Sequence, residues 1–86
     1  MHETHLIEPI IKGISQHAAK EGAARVTKVR LKIGALTGVK EESFTETFGV
    51  LAKGTVLDGA QLEMTFFPGS RIEVLSFDID EKKSQT

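Results

Sequence analysis

Cysteine, tryptophan and tyrosine are all absent from this 86-residue chain. Without cysteine, the protein can form no disulfide, thiolate zinc site or iron–sulfur cluster, and it has no cysteine nucleophile. Phenylalanine occurs five times and is the only large aromatic residue type present. The length allows one domain with a small hydrophobic core. Because no disulfide or thiolate–metal site can stabilise this domain, it must be stable through its core alone or through association with a second copy.

The sequence also lacks a large excess of either charge and any long apolar run. Eleven lysines and arginines face 12 aspartates and glutamates, for a formal net charge of −1. This balance argues against a general nucleic-acid or anionic-membrane binder. No stretch approaches the roughly 20 apolar residues of a membrane span, and the N-terminus lacks the layout of a signal peptide. We therefore expect a cytoplasmic protein that binds neither nucleic acid nor membrane.

The first part of the chain carries the apolar pattern of a helix. Apolar residues recur at the 3.6-residue period along one stripe, and Gly22 suits the position after a helix end. Pro9 fits comfortably only in a first helical turn. The helix therefore either begins near Glu8 or is kinked after an earlier turn through His5. The stripe consists of Ile7, Ile10, Ile11, Ile14 and Ala18.

Four further elements follow from periodicity. Strict alternation over residues 29–33 predicts a strand with one solvent face, and residues 40–53 predict a second helix with Phe44, Phe48 and Leu51 on its apolar side. A second strand is predicted over residues 61–66. After a turn at residues 68–70, a third strand runs from about residue 71 to residue 80. Its apolar phase changes midway, which indicates either a bulge or a strand that is two-sided at its middle.

This element order, α-β-α-β-β, predicts the fold class. A strand, a crossover helix and a second strand most simply form a parallel pair, and the turn then adds an antiparallel strand. We expect an α/β protein of the two-layer α+β type, with two helices packed on a three-stranded mixed sheet. Residues 1–80 would form the single domain, and residues 81–86 a polar tail.

The residues most suggestive of chemistry stand at the start, in Met1-His2-Glu3. An α-amine, an amide nitrogen and the His2 imidazole can close fused chelate rings on a square-planar Ni(II) or Cu(II) ion. The alternative is that His2 is an ordinary terminal residue without a role. If the first turn is helical, His5 shares a face with His2 and is either a further ligand or an exposed polar residue. His17 is interpreted as a solvent-facing helix residue.

A cationic run, defined here as Arg25, Lys28, Arg30 and Lys32, would either dock an acidic partner or form the solvent face of a strand. It offers no aromatic residue for stacking on RNA bases. Gly34-x-x-x-Gly38 lacks the lysine and hydroxyl residues that complete a phosphate loop. Because no catalytic set is recognisable, we expect a protein that is not an enzyme.

Taken together, these stretches resemble HypA, a family of nickel-delivery proteins in [NiFe]-hydrogenase maturation. The resemblance implies a metallochaperone that binds Ni(II) through His2, the amine of Met1 and the backbone nitrogens of His2 and Glu3. It further implies the GTPase accessory protein HypB as a partner and the hydrogenase large subunit as the acceptor. The stretches concerned are Met1-His2-Glu3, residues 29–39, Gly54-Thr55 with residues 59–63, and residues 72–80.

The chain departs from this family in one large respect. Members carry a zinc-ribbon lobe with two Cys-x-x-Cys pairs between strands two and three, whereas here Phe67-Pro68 leads through Gly69-Ser70 directly into strand three. We therefore expect no zinc, and the lobe is either naturally missing or engineered away. His5 and Pro9 also depart from the family pattern. The alternative to a metallochaperone is an interaction module without metal, such as a homodimer that exchanges strand three.

Overall fold

A computed structural model describes residues 4–81. It confirms the predicted order of two helices and three strands, with one additional short 3-10 helix. The β1 strand begins six residues before the predicted start at residue 29. The elements are α1 (Thr4–Lys20), β1 (Ala23–Gly34), a 3-10 helix (Ala35–Thr37), α2 (Glu41–Ala52), β2 (Gln61–Phe67) and β3 (Ile72–Glu81).

The first residues of β1 do not alternate strictly between apolar and polar, because the strand contains two irregularities. Strict alternation therefore predicted too short a strand. Ala23 pairs with Glu81 and Arg25 with Asp80, so Ala24 is an extra residue on β1. The register shifts again between Val26 and Lys28, which leaves Thr27 as a second extra residue. Each insertion reverses the side-chain phase, because strand side chains alternate with a period of two.

The three strands form a mixed sheet with β1 in the centre, in the order β2-β1-β3. β1 and β2 are parallel, from Lys28 opposite Gln61 to Gly34 opposite Phe67. The predicted antiparallel strand, β3, pairs with β1 and not with its neighbour in sequence, β2. The chain must therefore cross the end of β1 between Phe67 and Ile72.

Both helices pack on one face of this sheet and enclose a single core. The centre of the core is formed by Phe44 and Phe48 of α2, at 0% and 1% exposure, with ring centroids 6.5 Å apart. Leu51 is partly buried, and Ala52 completes the buried face of α2. The remaining fully buried members are Ile7, Ile11, Ile14 and Ala18 of α1, Val26, Val29, Leu31 and Ile33 of β1, and Leu57.

The helix α1 passes through Pro9 without a break in its assignment, so the earlier turn through His5 is helical. Pro9 has no N–H to donate to the carbonyl of His5, and one bond of the helical ladder is therefore missing there. The first turn is held instead by packing, because Ile7 is completely buried.

The bulge predicted in β3 is confirmed at Leu75. Arg30 pairs with Ser76 and the next residue of β1, Leu31, pairs with Val74, so Leu75 is left without a partner. Its side chain is 55% exposed. The extra residue accounts for the change in apolar phase along β3.

A four-residue connection, called the joint here and comprising residues 68–71, carries the chain across the end of β1. The Gly34 N–H donates to the carbonyl of Arg71 at 2.7 Å, and the Leu36 N–H donates to the carbonyl of Gly69 at 2.8 Å. A methyl group on Gly34 would overlap with the Gly69 carbonyl and lie 2.7 Å from the nitrogen of Ser70. Only glycine leaves room for this crossing.

Candidate metal centre

The predicted nickel ligands in Met1-His2-Glu3 lie outside the described residues, so this site stays a prediction. The structure does describe the helix that follows them. His5, the additional candidate ligand, lies in the first turn of α1 with its side chain exposed. An exposed position is open both to a metal ligand and to an ordinary polar residue.

The direction of α1 determines which end of the molecule carries its first turn. Only Glu21 and Gly22 separate α1 from β1, and the helix packs on the strand, so the two run in opposite directions. Gly22 has a φ of 73°, the left-handed conformation that allows this sharp reversal. Thr4 therefore lies at the end of the sheet where β1 finishes and the joint crosses it.

Within residues 4–81, no group of three or more histidine, cysteine, aspartate or glutamate side chains is close enough to hold a metal ion. His17 lies in the last turn of α1, at the opposite end of the helix from His5. Its Nε2 is 3.9 Å from an Oε2 of Glu21, one helical turn away. The imidazole also contacts Phe77 edge to face, with 5.6 Å between the ring centroids. These contacts agree with the prediction that His17 is a surface helix residue.

The cationic run lies on the face of the sheet opposite the helices, where two of its four residues, Lys28 and Arg30, meet acidic residues of the neighbouring strands. Arg30 makes a bidentate contact to Asp78 of β3, at 3.0 and 3.2 Å. Its Nε lies 3.2 Å from Glu63 of β2, and Lys28 lies 3.6 Å from the same carboxylate. These pairs confirm the interpretation of the run as the solvent face of a strand.

In the part of the chain that the structure describes, Lys32, a third residue of the cationic run, contacts an aromatic ring and not a carboxylate. The ammonium of Lys32 lies 4.7 Å from the ring centroid of Phe67, a cation–π contact. The charges of Lys28 and Arg30 are therefore compensated by acidic residues of β2 and β3, and Lys32 contacts a ring of β2. This arrangement favours cross-strand cohesion over recognition of a polyanion.

The Arg30–Asp78 contact shifts the protonation equilibria of both groups. The hydrogen bond from Arg30, reinforced by its charge, lowers the pKa of Asp78, while partial desolvation opposes the shift. The hydrogen bond and charge of Asp78 raise the pKa of Arg30. Both side chains retain substantial exposure, 35% for Arg30 and 51% for Asp78, so solvent screens the pair.

The stretch from Gly34 to Gly38 has a structural function in the described chain. The Thr37 hydroxyl donates to the carbonyl of Gly34 at 2.7 Å and accepts from the Val39 N–H at 3.2 Å. These bonds fix the turn between β1 and α2. The sequence did not reveal why residue 34 must be glycine, which is that Gly69 passes close to it. The only signal available in the sequence was that both positions are glycine.

Among residues 4–81, no helix is long and apolar enough to cross a membrane.

Comparison with known proteins assigns a family to this arrangement. Residues 1–72 match the family model described as "HypA: Hydrogenase/urease nickel incorporation, metallochaperone, hypA". HypA of Beijerinckia indica is 37% identical over 70 residues, which cover 81% of this chain and 62% of that protein. HypA of Paracoccus denitrificans is 37% identical over 82 residues, covering 95% and 70% respectively. The chain thus spans under two thirds of the length of the first of these relatives.

Solved structures support the same fold. The solution structure of the Ni metallochaperone HypA from Helicobacter pylori superposes with a TM-score of 0.81 at 16% identity, covering 95% of this chain and all of that one. A second HypA solution structure gives a TM-score of 0.77 at 18% identity, covering 92% and 96%. At such identities the structures support the fold, whereas the family model and the curated relatives support the ancestry. The chain belongs to the HypA family.

Proposed function

We propose that this protein is a nickel metallochaperone module that holds Ni(II) at its N-terminus for delivery to a nickel enzyme. The proposed ligands are the His2 imidazole, the Met1 amine and the backbone nitrogens of His2 and Glu3. Deprotonated amide nitrogens favour square-planar Ni(II) or Cu(II) over zinc. His5 is a candidate additional ligand on the exposed first turn of α1.

The observation that carries this proposal is the span of the family match. It begins at residue 1 and so includes Met1-His2-Glu3, and it continues through both helices and two strands. The family description names nickel incorporation into hydrogenase or urease. The curated relatives are named as hydrogenase maturation factors, which favours [NiFe]-hydrogenase as the destination.

The fold supplies a firm base for such a site. Ile7 is fully buried and fastens the first turn of α1 to the core, while His5 remains exposed beside it. A planar site next to an exposed helical turn suits metal transfer, since an incoming ligand can approach along the open axis before the old ligands leave.

Delivery would require partners, and HypB and the hydrogenase large subunit are our candidates. The protein would act as a carrier and not as a catalyst. Because the chain spans only 62% of the length of a relative such as that of Beijerinckia indica, recognition of these partners through a zinc lobe is not part of the proposal. We propose that this cysteine-free chain delivers nickel without a zinc site.

The test is a titration of Ni(II) into the protein with Met1 as its first residue. Binding is measured by calorimetry and by the d–d absorption of the bound nickel. His2→Ala should reduce nickel affinity strongly, and extra residues before Met1 should do the same by removing the free amine. Affinity should rise from pH ~6 to ~8, because the imidazole and the amine lose their competing protons near pH ~6.5 and ~7.7–8.0.

His17→Ala is the matched control, since His17 lies on the same helix away from the first turn and should leave nickel binding unchanged. His5→Ala decides whether that residue is a ligand. If His2→Ala and His17→Ala bind nickel as tightly as the unmodified protein, the N-terminal site is refuted. Light scattering with and without nickel would identify the alternative, a metal-independent dimer.

A further inference from the structure

The outer edge of β3 is available for another strand. Within residues 4–81, the only strand that pairs with β3 is β1. After the bulge at Leu75, residues 76–80 of β3 contain no further bulge. The extra residues in this part of the sheet, Ala24 and Thr27, belong to β1. An edge of this kind presents backbone donors and acceptors to a partner.

The charges of β3 select the partner strand. Glu73, Asp78 and Asp80 are exposed acidic residues, and β3 contains no lysine or arginine. A second copy of β3 would place its acidic residues near these, and like charges across strands are destabilising. A basic strand would be complementary, as the neighbouring β1 already demonstrates through the contact of Arg30 with Asp78.

An apolar groove accompanies the same edge on the side covered by helices. It is an open cleft of about 360 Å³ between α1 and β3. Ile10, Gly13 and Ile14 line it from the helix, and Val74 and Phe77 line it from the strand. The helix-facing Phe77 and the solvent-facing Asp78 are consecutive, so an added strand would meet an apolar surface and an acidic surface alternately.

We propose that the β3 edge and this groove bind an extended segment of a partner protein in which apolar and basic residues alternate. Main-chain hydrogen bonds to residues 76–80 would extend the sheet. Apolar side chains would enter the groove beside Phe77, and basic side chains would lie near Asp78 and Asp80. Strand addition beside a helix is an established mode of peptide recognition. The proposal is independent of nickel binding.

The test uses a synthetic peptide of about eight residues that alternates valine and lysine, a length that matches a typical strand. Titration into the isotopically labelled protein, followed by amide NMR, should shift the resonances of residues 76–80 and of Gly13. A peptide that alternates valine and glutamate should bind much more weakly. The lysine peptide with alternate backbone amides methylated keeps its charge but loses main-chain donors, and it should not bind.

Two pairs of variants separate the contributions of charge and groove. Asp80→Asn should weaken binding about twofold, as expected for the loss of one exposed ion pair. The matched control, Glu42→Gln, removes the same charge from the exposed surface of α2 and should have no effect.

Gly13→Leu should abolish binding, because a side chain at Gly13 points into open space that belongs to the groove. Leucine also favours a helix over glycine, so this variant should be folded and at least as stable. Gly49→Leu, at an equally open position on α2, is its control. The proposal is overturned if the lysine peptide does not bind, if the methylated peptide binds equally well, or if both leucine variants behave alike.

Discussion

Replacement of Gly34 by alanine tests whether the joint is fixed by close passage across β1. Gly34 has φ −72° and ψ 132°, angles that alanine adopts without strain. Backbone preference therefore cannot account for any loss of stability. What alanine adds is a methyl group that overlaps with the Gly69 carbonyl. The obstacle is backbone and not the flexible end of a side chain, so β1 and the joint must move apart.

The structure gives the size of the effect. Separation would weaken the bonds from Gly34 to Arg71, 2.7 Å, and from Leu36 to Gly69, 2.8 Å. Each such bond is worth ~1 kcal/mol, and overpacking costs ~1–3 kcal/mol. Alanine recovers ~0.4–1 kcal/mol by restricting the unfolded chain. We expect a net loss of about 2–4 kcal/mol, which lowers the Tm of a chain this size by roughly 10–30 °C.

Urea denaturation followed by circular dichroism measures this change, with Gly13→Ala as the control. The helical Gly13 has open space around its missing side chain, so alanine there should stabilise by ~0.5–1 kcal/mol. The two identical substitutions should thus have opposite signs. If Gly34→Ala unfolds within ~0.5 kcal/mol of the unmodified protein, a surface-like effect, the steric argument is wrong.

Three further predictions concern the core, the sheet and the first turn. Phe48→Ala should lower the free energy of unfolding by ~3–5 kcal/mol, because Phe48 is 1% exposed in a small core, and urea denaturation should measure that loss. The pKa of Asp78 is lowered by Arg30, so their pair contributes stability above the unfolded pKa of about 3.9. That contribution disappears as the pH falls through the folded pKa. The free energy of unfolding, measured at pH 7 and at pH 3, should therefore show a larger deficit of Asp78→Asn at pH 7 than at pH 3. Pro9→Ala should strengthen the first turn of α1 by restoring a donor to the His5 carbonyl, visible as slower amide hydrogen exchange there.

Periodicity was sufficient for the fold where each element buries one face without interruption. The stripe through Ile7, Ile11 and Ile14 and the pair Phe44 and Phe48 are buried as predicted. Periodicity failed at the start of β1, because the insertions at Ala24 and Thr27 cancel the alternation that identifies a strand. In β3 the change of phase was itself informative and located the bulge.

Which strands pair with each other was harder to predict from the sequence than where the strands lie. The sequence indicated an antiparallel strand after the turn but not that it would pair with β1. That choice depends on Gly34, which lets the joint pass over the end of β1. The cationic run illustrates the same limit. Its alternation indicated a solvent face. However, Arg30 pairs with Glu63 and Asp78, which are 33 and 48 positions away in sequence, and no local sequence pattern indicates such contacts.

The proposed nickel site rests on the family match and on the chemistry of Met1-His2-Glu3, and the fold adds one constraint on how it would work. The first turn of α1 lies at the end of the sheet where the joint crosses Gly34. A segment inserted at the joint would emerge at this same end, beside Thr4. In the present chain only the four residues of the joint occupy that position, so we expect a partner that reaches the proposed nickel site to meet the joint at this end of the sheet.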